Sequence, residues 1–112
     1  MKHVSRLTML GVILLLMVAP AFLLAGGDAA GGKIVFDKKC AACHGSGGEG
    51  KEAMAKMLKV EFRPLASKDV QAKKDEELRK DITEGNGKMK PVKGVTDAEL
   101  DNLIAYVRSL KK

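Results

Sequence analysis

The chain has no tryptophan, one tyrosine and three phenylalanines among its 112 residues. That scarcity leaves few rings to stack on bases, which weighs against nucleic-acid binding despite a formal charge of +6. Apolar and polar residues nowhere alternate over a useful length, so no half-buried sheet is expected and the fold is read as all-α. No internal repeat and no second domain are visible. Charge is missing altogether from Leu7 to Gly27, and cysteine and histidine are confined to two positions each.

The uncharged stretch follows a basic start at Lys2, His3 and Arg6, and centres on Val12-Ile13-Leu14-Leu15-Leu16-Met17-Val18. Small residues at Ala19-Pro20-Ala21 and Ala25-Gly26-Gly27 offer signal-peptidase sites, so residues 1–27 read as a cleaved export signal. Twenty-one uncharged residues could also cross a bilayer, which keeps an uncleaved N-terminal anchor as the alternative. Both readings put residues 28–112 outside the cytoplasm, periplasmic or otherwise extracytoplasmic. Losing Lys2 and Arg6 leaves 18 Lys+Arg against 14 Asp+Glu, a net charge of +4. A domain this small buries a marginal core and needs a staple.

What is present is concentrated in Cys40-Ala41-Ala42-Cys43-His44, which holds both cysteines and the only histidine besides His3. C-x-x-C-H is the spacing at which haem is attached covalently. Residues three apart share a helix face, so both thiols can reach the two vinyl groups on one side of a porphyrin. The following imidazole is then carried beneath the ring centre as proximal iron ligand. A structural zinc site would need more Cys or His than the mature chain contains. A thioredoxin-like dithiol would sit beside a βαβ pattern that is not seen. A plain disulfide would leave His44 unexplained. One covalent haem c is therefore expected, on Cys40 and Cys43 with iron on His44; it would also serve as the staple.

Along the mature chain, Asp28 to Gly32 reads as a flexible lead into a first helix from about Gly32 to Ala42. Gly45 to Gly50 is a loop, because so many glycines destabilise a helix. A second helix is expected over about Lys51 to Val60, with Met54, Met57 and Leu58 on one side as core. Pro64 breaks the pattern, and Ser67 or Asp69 opens a turn near Val70. Asp75 to Glu84 forms a third helix with Leu78 and Ile82 inward, stopped by Gly85. The last helix is the best specified. Thr96-Asp97-Ala98-Glu99 is a capping box with Val95 and Leu100 as its staple. Leu100, Leu103, Ile104, Val107 and Leu110 share one face.

An electron-carrying haem needs a second axial ligand, and with no spare histidine the choice falls on methionine. Met54 and Met57 have the spacing of packing residues. Met89 sits among turn formers in Gly85-Asn86-Gly87-Lys88-Met89-Lys90-Pro91, where no packing stripe calls for it. It is taken as the distal ligand. A thioether raises the reduction potential relative to a second nitrogen.

Gly32-x-x-x-Phe36 ahead of Cys40-Ala41-Ala42-Cys43-His44, the Gly85-to-Met89 loop and the closing Tyr106-Val107-Arg108-Ser109-Leu110 resemble a small bacterial class I cytochrome c over residues 29–112. The resemblance implies a bundle of three to five short helices wrapped round one haem. It implies that the terminal helices cross closely, with Gly32, Phe36 and Tyr106 at the crossing. It implies a proline carbonyl orienting the proximal imidazole, for which Pro64 is the nearest match. Lys90 departs from the pattern by separating Met89 from Pro91.

The function that follows is one-electron transfer between extracytoplasmic or membrane redox partners, by a monomer and not an enzyme. Lys88, Lys90 and Lys93, with Lys38, Lys39 and Lys51, would steer partners bearing acidic docking faces. The alternatives are a haem sensor or peroxidase-like enzyme with a displaceable sixth ligand, and a membrane-tethered subunit of an oxidoreductase.

Overall fold

The side chain of Asp28 accepts hydrogen bonds from the backbone N–H groups of Ala30 and Gly31, each at 3.1 Å, and so opens the first helix. A computed structural model describes residues 27–112; the expected export segment lies, except for Gly27, outside the described residues. The helices are α1 (Ala29–Lys39), α2 (Ala41–His44), α3 (Glu52–Leu58), α4 (Lys68–Gln71), α5 (Asp75–Glu84) and α6 (Asp97–Ser109). No strand forms among the described residues, and no described helix is long and apolar enough to cross a membrane.

α5 and α6 fall where the sequence places them. Thr96 Oγ1 accepts from the Glu99 N–H at 3.1 Å, while the Glu99 carboxylate accepts from the Thr96 hydroxyl at 3.2 Å. Ser67, not Asp69, caps the single turn α4, accepting from the Val70 N–H. The first helix is corrected at both ends. Asp28 to Gly32 is not a flexible lead, because the cap and a tight contact with α6 outweigh the glycines' poor propensity. At the other end Cys40 adopts φ −120°, ψ −35°, which separates α1 from α2 and takes the helix count above the expected range.

α1 and α6 meet closely. A Cβ on Gly32 would lie 1.9 Å from the Asn102 carbonyl oxygen and 2.9 Å from Tyr106 Cβ, so only glycine permits this approach. Asn102 Oδ1 accepts from the Asp28 N–H at 2.7 Å beside the same contact. The Phe36 and Tyr106 rings pack at 5.0 Å and 57°. With Leu103 they form one core cluster, flanked by Val35, Val95 and Leu110. The opposite side of α6 builds a second cluster, Ile104 and Val107 with Val70 and Leu78. Half-buried Leu65 packs against both.

Polar contacts fasten the α4–α5 corner to α6. Gln71 Nε2 donates to the Leu65 and Val107 carbonyls, each at 2.9 Å. Arg108 donates to the Asp75 carboxylate and to the Gln71 and Lys73 carbonyls. α3 departs from expectation: Met54 and Leu58 are half-buried, but Met57 is 67% exposed and is no core residue. In a seven-residue helix, placing Met54 and Leu58 four apart on the inner face turns Met57 away from it.

Tyr106 also donates its hydroxyl to the Ser46 carbonyl at 2.9 Å, joining the last helix to the loop behind His44. Tyr106→Ala is expected to cost ~3–5 kcal/mol and Tyr106→Phe ~0.5–1.5 kcal/mol, measured as urea midpoints. A loss within about 0.5 kcal/mol for the alanine variant, the range of a surface site, would remove Tyr106 from the packing.

Candidate functional site

Between the two core clusters lies a cavity of about 900 Å³, within the range of ligand sites. Its lining brings together Cys40, Cys43, His44 and Met89. Apolar walls come from Phe36, Leu58, Ile82, Leu103, Ile104 and Val107.

The backbone aims the motif residues. The His44 N–H donates to the Cys40 carbonyl at 2.9 Å, closing the single turn of α2. Behind it, the Gly50 N–H reaches the His44 carbonyl at 2.6 Å and the Lys51 N–H reaches the Cys43 carbonyl at 2.9 Å, so the glycine-rich loop folds back onto the motif. Both cysteines are half-buried. Burial pushes the Cys40 thiol up to about 11, with nearby Cys43 adding to the rise and Lys39 opposing it.

His44 is held by rings on two sides, Phe62 edge-on at 5.5 Å and Phe36 at 6.5 Å. Burial lowers its pKa, which favours the neutral imidazole that binds metals. Nδ1 is buried and has no hydrogen-bond partner. The expected role of Pro64 is thereby corrected. Its carbonyl instead accepts from the Ser67 N–H at 2.9 Å, closing the turn that leads into α4. Phe62 was not anticipated, since an isolated aromatic in a loop has no periodicity to reveal it.

Met89 is half-buried in a two-residue turn closed by Asn86 N–H to Met89 carbonyl at 3.0 Å and Met89 N–H to Asn86 carbonyl at 2.9 Å. Gly87, at φ +58°, occupies the first central position, where such turns demand glycine. Beyond the intervening Lys90, the Val92 N–H bonds the Ile82 carbonyl at 2.8 Å and returns the loop to α5. Lys88 Nζ donates to the Leu58 carbonyl at 2.7 Å, placing a cation on the C-terminal end of α3. Lys39 Nζ donates to the Lys93 carbonyl at 3.0 Å.

The donor set facing this cavity is two thiols, one neutral imidazole and one thioether. Soft sulfur with imidazole nitrogen suits iron held in a porphyrin, and the apolar walls suit the ring. The family model for cytochrome c matches residues 29–111.

The chain belongs to the cytochrome c family.

It is 38% identical over 81 residues to cytochrome c6 of Leptolyngbya boryana, covering 71% of this chain and 89% of that protein. It is 32% identical over 97 residues to cytochrome c-554(547) of Halothiobacillus neapolitanus, covering 76% and 99%. Among solved structures, the KustC0563 c-type cytochrome superposes with a TM-score of 0.62 at 31% identity, over 72% of this chain and 98% of that one. This cytochrome accordingly takes covalent haem c as its cofactor, one for its single C-x-x-C-H motif, and is an electron carrier and not an enzyme. Its all-α fold is that of the family.

Haem is expected to stay with the polypeptide through acid–acetone extraction of the wild type. Cys40→Ala combined with Cys43→Ala is expected to release all of it, as followed by absorbance of the extract.

Proposed function

We propose that Cys40 and Cys43 hold the haem as thioethers, that His44 binds its iron on one face, and that Met89 binds it on the other. The carrying observation is that these four residues, from the motif and from a turn 45 positions further on, line one apolar cavity. The haem supplies a one-electron couple when bound. The protein's residues do the rest: the thiols fix the ring, the desolvated imidazole offers a neutral nitrogen, and the side chains of α5 and α6 keep water from the site. With a donor on each face no position remains for substrate, which favours a carrier over the sensor or peroxidase-like reading. A thioether opposite the imidazole favours reduced iron.

The working location is extracytoplasmic, on the basis of the apolar, basic-headed segment before Asp28. The protein acts as a monomer that meets redox partners bearing acidic faces. Lys39, Lys88, Lys90 and Lys93 all stand at the cavity, and among the described residues none of the four is paired with a carboxylate. Such a rim attracts an acidic surface over roughly 8–10 Å at moderate salt. Lys88 and Lys39 also clasp backbone carbonyls, so Lys90 and Lys93 are the pair on which charge can be changed without releasing the loop.

Met89→Ala is expected to remove the far-red sulfur-to-iron band, lower the reduction potential and admit carbon monoxide or cyanide. Met54→Leu and Met57→Leu are expected to change none of these. Loss of the band in Met54→Leu with its survival in Met89→Ala would assign the ligand to α3.

Lys90→Glu with Lys93→Glu is expected to slow reduction by an acidic partner several-fold at low ionic strength. Reduction by a small neutral donor should be unchanged, and added salt should abolish the difference. A wild-type rate that ignores salt would leave these lysines as ordinary solvated residues.

A further inference from the structure

The turn that carries Met89 is tied to α5 through one side chain. Asp81, in the last full turn of α5, accepts at Oδ1 from Asn86 Nδ2 at 3.1 Å. Its other oxygen, Oδ2, lies 2.5 Å from Lys73 Nζ, and both side chains are largely shielded, at 26% and 32% exposure. Its backbone carbonyl accepts from the Gly85 N–H at 3.1 Å, so the same residue also closes the helix. Asn86 is in turn the residue whose N–H and carbonyl both pair with Met89. Asp81, Asn86 and Met89 all line the cavity.

The geometry points to Asp81, acting through the Asn86 side-chain amide, as a positioning residue for the Met89 thioether. This rests on the reading of Met89 as distal ligand. Gly85 precedes the turn and Gly87 lies within it, and backbone bonding between Asn86 and Met89 fixes the turn's shape without fixing its direction. Direction comes from contacts to rigid elements outside the turn: Lys88 Nζ reaches the Leu58 carbonyl at the end of α3, and Asp81 reaches the Asn86 amide beside Met89. Asp81 is itself held by its place in α5, and Lys73 bears on its other oxygen. A charged acceptor also makes the amide bond stronger than a neutral one would be. The contact from Asp81 through the Asn86 amide therefore ends at the sulfur donor, and loss of either side chain lets the thioether swing from the iron.

The test uses the haem-loaded protein. Asp81→Ala and Asn86→Ala are each expected to shift the balance between sulfur-bound and sulfur-released iron about tenfold toward release, the effect of losing one charge-assisted hydrogen bond. That appears as a weakened far-red band, about tenfold tighter cyanide binding and faster exchange of the Met89 amide proton. Asp81→Asn keeps a side-chain carbonyl facing Asn86 and is expected to restore all three. Lys73→Gln breaks only the ion pair and is expected to change them far less than Asp81→Ala at comparable loss of thermal stability. Wild-type band and cyanide affinity in both alanine variants overturn the proposal, and so does an equal loss in Lys73→Gln. Asn86 is exposed, so its variant folds even where Asp81→Ala does not. Met89→Ala is run alongside. A band that survives there overturns the ligand reading and this one together, whereas a band lost there but kept in both alanine variants overturns the positioning role alone.

Discussion

Backbone contact between α1 and α6 is the constraint from which the site follows. With Gly32 against the Asn102 carbonyl, the two helices lie closer than any side chain would allow. That spacing sets Phe36 on Tyr106 and leaves Cys40, eight residues beyond Gly32, at the edge of the same cluster. The two cysteines and His44 inherit their orientation from this joint. Tyr106 extends it by one hydrogen bond to Ser46, so the last helix touches the loop on the far side of the motif as well. A mutation at the crossing would disturb cofactor chemistry without touching a ligand.

The fold makes little core of its own. Apart from Leu100, its buried apolar side chains are shared between two clusters on opposite sides of α6, and the cavity between them is as large as many ligand sites. Half-buried Leu58, Met54 and Phe62 face that space with few partners of their own. Chains of this length bury too small a fraction of their surface to tolerate such a void, so the covalently held cofactor is structural as well as functional. Polar bonding follows the same division. Arg108 satisfies the carbonyls of Gln71 and Lys73 at the α4–α5 corner, and Gln71 those of Leu65 and Val107.

Legibility from sequence tracks how local each signal is. α6 announces itself because its cap, its apolar stripe and its terminal charges all lie within fifteen residues. α5 does so because acidic residues open it and Gly85 ends it. The motif at Cys40 to His44 and the isolated Met89 are equally local, and the structure brings all four residues to one cavity. What could not be read depends on partners distant in the chain. Asp28 to Gly32 looks like a loose leader until Asn102 is placed beside it. Pro64 is the first proline after the motif, yet His44 Nδ1 meets no carbonyl. Met57 shares its spacing with Met54, and only the seven-residue length of α3 shows that one of them faces out. Phe62 has no pattern at all, yet it stands against the imidazole.

The bond from the Asp28 N–H to Asn102 spans 74 positions, nearly the whole folded body. Closing so long a loop carries an entropic cost that local turns avoid. Before it, α1 and the cysteine motif can form from local bonds alone, but Leu103, Ile104 and Val107 have not yet supplied the back wall. The thiols are thus chemically available in a chain that does not yet enclose anything. The topology thus lets the chain be modified while open and close round the product.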